Sequence, residues 1–382
     1  MMYFQRGNNM IHVVSAGESV DSIANAYSVP VDNLIFDNQL EYPYSLTIGQ
    51  ALLIPADRKY VYINGYAYPF IEQDVLEEAL DYLTTVSVFS YGFTPEGELI
   101  SPTISDEKII NISVQHGVKP ILTLTPLDSE GRFNNNLIHR LLISENGVTN
   151  LINNTLATVV EKDYYGVDVD FEYIMREDRD LFTEFVAELT RIMNENGYTV
   201  SVALAPKTSA EQPGLLYEGK DYGGLGAAAN SVLLMTYEWG YTYSEPRAVA
   251  PVNLVRKVIE YALTEIDASK IDMGIPNYGY DWPLPYEKGV TKATTIGNIE
   301  AIRLAIRYGA EVKYDETAQT PFFNYEDDSA VMHEVWFEDA RSIQAKLEMI
   351  EEFNLRGAGI WQIMRPFRPG WMQLERMYGI RK

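Results

Sequence analysis

From residue 60 onward, short apolar runs alternate with longer stretches in which apolar residues recur every third or fourth position. The runs suit strands and the longer stretches suit amphipathic helices, so their regular succession predicts βα units around a parallel sheet. Eight strands are expected: YVYINGYAY, VSVFSYGF, KPILTLTPL, YYGVDVDFEY, YTVSVALAP, SVLLMTYEW, KIDMGIPNYGY and GAGIWQIM. Eight such units close a TIM (β/α)8 barrel, an α/β fold, taken here to occupy residues 59–382. Between the fourth and fifth strands, LFTEFVAELTRIMNENG sets Phe182, Val186, Leu189 and Met193 on one helical face and stops at Gly197. The connection from the seventh strand to the eighth is too long for a simple crossover. Its sequence, at about 283–333, predicts a small α+β insertion, a helix plus a hairpin, at the face where such barrels build substrate clefts.

Residues 10–55 read as a separate unit of strand, helix, helix and strand, with a boundary near Pro55. Ser19 is placed to cap a helix whose Val20, Ile23, Ala24 and Tyr27 form one stripe, and Val31, Leu34 and Ile35 form a second stripe after Pro30. The pattern VxxGESVxSIAxxYxVxxxxLxxxN with a closing GQxLxIP resembles a lysin-motif (LysM) module. The resemblance implies binding of N-acetylglucosamine units of peptidoglycan or chitin at the two strand-to-helix connections. The matching positions are Gly17, Glu18, Ser19 and Val20 in the first and Ile35, Phe36, Asp37 and Asn38 near the second. Gly17, Glu18, Ser19 and Asn38 are the candidate sugar contacts, with capping and folding roles open for Ser19 and Asn38.

Composition narrows the functional classes. With 54 acidic and 30 basic residues the formal charge is −24, which repels nucleic acid and anionic membranes. There is no cysteine, and His12, His116, His139 and His333 lack metal-ligand spacing, so no metal and no cofactor is expected. No run of about 20 apolar residues is present, so no membrane span is expected, nor is a signal peptide. A monomer is the expected state. The opening MMYFQRGNN is polar and irregular and contributes nothing to the fold.

In YYGVDVDFEY the acids Asp168, Asp170 and Glu172 occupy alternate positions of an apolar segment. On one strand they share a face, about 6.6 Å from one to the next, and point into the barrel. Carboxylates facing a barrel interior are costly unless paired, and the expectation is that one is protonated and shares its proton with its neighbour. Such a row suits acid catalysis, with Glu172 at the strand end where active sites of this fold lie.

GVDVDFE resembles the strand-four signature DGxDxDxE of glycoside hydrolase family 18, MTYEW resembles that family's MxYD element, and GAGIWQI its tryptophan-bearing strand. The resemblance implies Glu172 as general acid/base, Asp170 orienting the substrate's 2-acetamido group, Asp168 holding Asp170, and Tyr237 donating to the acetamido oxygen. It implies Trp361 as the floor under the reacting sugar, with Glu238, Trp239 and Tyr280 completing the substrate-binding set. No enzyme nucleophile is needed, because the acetamido oxygen attacks the anomeric carbon with net retention, outside the usual two-carboxylate scheme. Tyr165, Phe171 and Glu238 depart from the chitinase pattern, as does ILTLTPL, which lacks SxGG. MTYEWGY, MGIPNYGYDWPLP and the LysM module ahead of the barrel resemble instead the spore-germination branch, the cortical-fragment-lytic enzymes. That branch implies a β-N-acetylglucosaminidase acting on cortex peptidoglycan, made in the mother cell and associated with the spore coat or cortex; a cytoplasmic enzyme suits the same sequence. A chitinase and a non-catalytic glycan-binding coat protein are the alternatives. GLLYEGKD, at 214–221, matches GxxxxGK but lacks the following Ser or Thr and a preceding strand, so it is read as a plain loop.

Overall fold

The computed structural model describes residues 10–54, 59–128 and 130–382. The boundary expected near Pro55 lies outside the described residues, as does the opening MMYFQRGNN.

The N-terminal unit pairs the strands Met10–Val13 and Ala51–Ile54 antiparallel, with the helices Val20–Tyr27 and Val31–Asp37 between them. Val14, Val20, Ile23, Ala24, Leu34, Leu52 and Ile54 form its core, as the two helical stripes require. The Ser19 hydroxyl accepts from the Ser22 N–H and the Ser22 hydroxyl from the Ser19 N–H, a reciprocal cap that starts the first helix.

Eight parallel strands form the barrel: Tyr60–Ala67, Thr85–Phe93, Lys119–Leu124, Gly166–Val169, Thr199–Leu204, Ser231–Leu234, Ile271–Pro276 and Gly357–Trp361. Each pairs with the next, and the eighth pairs with the first, which closes the sheet. One set of alternating positions is apolar and sealed. Val61, Ile63, Val86, Val88, Leu122, Leu124, Val167, Val169, Val200 and Val202 are all buried, as strands covered by helices require. The other set carries small polar residues. Asn64, Thr85, Ser87, Thr199, Ser201 and Ser231 line an internal cavity of about 80 Å³ together with Asp272 and Arg356, which form a salt bridge.

Most strands are shorter than the runs that predict them, and at two of them this bears on the site. The fourth ends at Val169, so Asp170 and Glu172 lie beyond the ladder on the chain leaving it, and the sixth ends at Leu234, before Tyr237. The insertion is a five-stranded antiparallel sheet with the helix Asn298–Tyr308. The sheet draws in Gly279–Pro283 and Met332–Trp336, so it extends on both sides of the 283–333 stretch. Asp281 ties it together by accepting from the Tyr325 hydroxyl at 2.7 Å and meeting His333 Nδ1 at 2.7 Å. Among the described residues, no helix is long and apolar enough to cross a membrane.

Candidate active site

Strand four delivers Asp168 into the barrel, and the chain that continues from it delivers Asp170 and then Glu172. Phe171, between them, turns the other way and stacks on Phe185 and Phe182 of the helix Arg179–Glu195, at centroid separations of 5.7 and 5.8 Å. This apolar anchor keeps the alternation going after the ladder stops.

Asp168 is buried, and both its oxygens are taken. Tyr66 Oη donates to one at 2.9 Å and Ser201 Oγ to the other at 2.6 Å. The expected sharing of a proton along the acidic row is therefore corrected. Strand one, across the barrel, and strand five, alongside, supply the hydroxyl donors, and Asp168 holds Asp170 through no hydrogen bond among the described residues. Burial raises the Asp168 pKa, opposed by these two hydroxyls and by the Lys220 ammonium.

Asp170 is 8% exposed, and its Oδ1 is buried without any hydrogen-bond partner. Burial pushes its carboxyl well above the usual range, with the Glu172 and Asp168 charges adding to the rise. Glu172 is half-buried, and burial raises its pKa too, against the pull of Lys220. A raised glutamic acid keeps a proton to donate near neutral pH.

The loop after strand six adds Tyr237, buried, with its pKa raised by burial and then by Asp170, Glu172 and Asp168. Gly274 of strand seven makes room for it: a Cβ there would lie 2.7 Å from the tyrosine ring and 2.5 Å from the Leu234 carbonyl oxygen. Glu238, at φ +66°, lies at the rim with its carboxylate accepting from the Tyr278 and Tyr280 hydroxyls. Burial raises the Glu238 pKa, opposed by these two tyrosines. Trp239 follows, half-buried, its backbone N–H donating to the Val249 carbonyl at 3.0 Å.

Trp361, at the end of strand eight, is half-buried against Phe89, Tyr66 and Tyr68, with centroids 4.9, 5.5 and 6.4 Å away. These rings make an aromatic floor beside the carboxylates, a surface suited to the apolar face of a sugar ring. The expected barrel residues Asp168, Asp170, Glu172, Tyr237, Glu238, Tyr280 and Trp361 thus meet at the C-terminal ends of the strands. Among the described residues, no grouping of three or more His, Asp or Glu side chains could hold a metal ion.

Sequence reasoning missed Tyr66, Ser201, Tyr278 and Lys220. Tyr66 and Ser201 each carry a legible signal, since both alternate with sealed apolar neighbours on their strands. Lys220 carried a misleading one. GLLYEGKD is a loop as expected, yet its lysine is completely buried behind the acidic row.

In the N-terminal unit the four candidate residues serve the fold. Gly17 takes a left-handed turn at φ +87°. Glu18 accepts from the Ser15 N–H at 2.6 Å and meets His12 at 2.8 Å, which holds its carboxyl below the usual value. Ser19 caps the first helix. Asn38 clips the second helix to the closing strand, donating to Leu34 and Leu53 carbonyls at 2.9 and 2.7 Å and accepting from the Leu53 N–H at 2.7 Å.

The comparisons with known proteins follow this division. Residues 131–365 match the model of glycosyl hydrolases family 18, and residues 12–55 match that of the LysM domain. The cortical fragment-lytic enzyme of Bacillus subtilis is 38% identical over 97% of this chain and 99% of its own length. The enzyme of the same name from Bacillus anthracis is 35% identical over 98% of this chain and 100% of its own. The crystal structure of the Bacillus cereus spore cortex-lytic enzyme SleL superimposes with a TM-score of 0.83 at 34% identity, covering 99% of this chain and 88% of that one.

Proposed function

Since the chain belongs to glycosyl hydrolases family 18 and carries a LysM domain, we propose that it is a retaining β-N-acetylglucosaminidase of peptidoglycan, working on spore-cortex fragments. The observation that carries the reading is the buried, unpartnered Asp170 Oδ1 beside a half-buried Glu172 of raised pKa. A buried acceptor without a donor is costly, and a substrate acetamido N–H supplies that donor. Held this way, the acetamido oxygen attacks the anomeric carbon. The glycosidic C–O bond breaks, its electron pair goes to the leaving oxygen, and that oxygen takes the Glu172 proton. Tyr237 donates to the attacking oxygen, and Trp361 carries the reacting sugar. Glu172 then takes a proton from the water that opens the oxazolinium ring, and the product retains the β configuration.

The cortex-lytic relatives support the choice of substrate and association with the spore cortex. Retention on the wall is assigned to the LysM module, with Gly17, Glu18, Ser19 and Asn38 shaping the two connections that face the glycan. Proton NMR of the nascent anomer from cortex fragments tests the mechanism. The β anomer first is the expected result, and the α anomer first would overturn substrate assistance. Digestion of chitin oligomers alongside tests the substrate: faster cleavage of chitin would make the protein a chitinase.

A further inference from the structure

Lys220 stands just before the helix Tyr222–Ala228 and is 0% exposed. Its ammonium donates to the Phe171 carbonyl and, at 3.0 Å, to that of Ala203 on strand five. The Phe171 carbonyl belongs to the peptide bond that leads into Glu172, so the lysine holds the chain where the carboxylates project. The loop is fixed on both sides of it. Lys207, 1% exposed, donates to the Lys220 carbonyl at 3.0 Å, and a Cβ at Gly219 would meet the Ile174 carbonyl oxygen at 2.3 Å.

Two carbonyls do not neutralise a buried ammonium, which is costly without opposite charge nearby. Among the described residues, Asp170, Glu172 and Asp168 supply that charge through space, without a direct ion pair, and the Lys207 ammonium stands on its backbone side. Strand five presents the Ala203 carbonyl, and the helix Arg179–Glu195 presents the Phe182 ring, 5.1 Å from Nζ. Burial pulls the Lys220 pKa down and the three carboxylates oppose it, which leaves it at about 8.

We propose that Lys220 is the internal counter-ion of the acidic row, a positioning residue that fixes the Phe171–Glu172 peptide and sets the pH window of catalysis. It deepens the assignment of Glu172 as acid/base and rests on it. A nearby positive charge lowers carboxyl pKa values, so its loss raises them. Both limbs of the kcat/KM profile then move to higher pH. A lysine that served packing alone would change the height of the profile and leave its limbs in place.

The decisive comparison is the pH profile of kcat/KM on soluble cortex fragments for Lys220→Gln, Lys220→Met and Lys220→Arg. The uncharged variants should shift both limbs upward by about one unit, while Lys220→Arg leaves them where they are. Unmoved limbs in a folded, active Lys220→Gln would overturn the proposal. A second measurement needs neither turnover nor an uncharged variant. In protein with isotope-labelled lysine, the Lys220 NMR signal is the one missing from Lys220→Arg, and its titration should move to lower pH in Glu172→Gln. An unmoved titration would overturn the counter-ion role. Wild-type protein inactive on every glycan would count against Glu172 as acid/base instead, and the titration would still decide on Lys220.

Discussion

Asp170 shows how the site trades stability for chemistry at the level of a single residue. Its carboxyl is buried, one oxygen lacks a partner, and two further carboxyls stand close by. Its folded pKa is raised above the unfolded value, so the folded state favours the protonated form. Its stabilising contribution is fully present below the unfolded pKa of about 3.9 and is lost as pH rises through the folded pKa. Asp170→Asn removes that loss. We expect thermal denaturation at pH 7 to show a variant more stable by about 1–2 kcal/mol, with the gain shrinking to nothing below the unfolded pKa, and with turnover lost. A less stable variant at pH 7 would contradict the account. The acids themselves were legible because three carboxylates interrupt an apolar alternation. Their partners were not. Tyr66 lies 102 residues from Asp168 in sequence, and the pairing exists only because strands one and four face each other across a closed barrel. Lys220 was hidden by a loop sequence that imitates a phosphate-binding motif.

At the level of elements, the eight strands and their order were readable from periodicity, because buried parallel strands leave short, dense apolar runs. Their ends were less so. YYGVDVDFEY alternates to its last residue, yet the ladder stops at Val169. The alternation persists because Phe171 enters the helix layer while Asp170 and Glu172 stay on the inner side, which needs no cross-strand hydrogen bonds. The insertion was readable as a helix with strands, but Gly279–Pro283 looked like the tail of strand seven because both are apolar and β-rich. Strand seven also sets the position of Tyr237. With the Leu234 carbonyl and the tyrosine ring where a Cβ at Gly274 would fall, Gly274→Ala must move one of them. We expect it to cost about 1–3 kcal/mol of stability and to lower kcat/KM at least about tenfold. Wild-type values in both would show that the tyrosine is not packed on this strand.

At the level of the whole molecule, a LysM domain and a family 18 barrel share one chain, and the proposed function divides retention from chemistry between them. Linking two sites that engage one polymer raises the effective concentration of the second without new contacts. Removing residues 1–57 should therefore weaken retention on insoluble cortex in a pelleting assay. Hydrolysis of short soluble fragments should stay within about twofold of the full chain. Equal loss of both would mean that the module takes part in the cleft. The apolar core that runs from Val14 to Ile54 is built from the two helical stripes that the sequence shows. The formal charge of −24 sets the protein against other polyanions, and it leaves the choice of glycan to the cleft. The central claim is that Glu172 delivers the proton that cleaves an N-acetylglucosaminyl bond in cortex peptidoglycan. Mass spectrometry of reducing ends after incubation with cortex fragments tests it most directly, with wild-type protein and Glu172→Gln side by side. The account predicts new N-acetylglucosamine reducing ends from the wild type and a rate at least about 10³-fold lower from the variant, whose fold and wall binding are unchanged. New ends at the neighbouring sugar, or undiminished cleavage by Glu172→Gln, would contradict it.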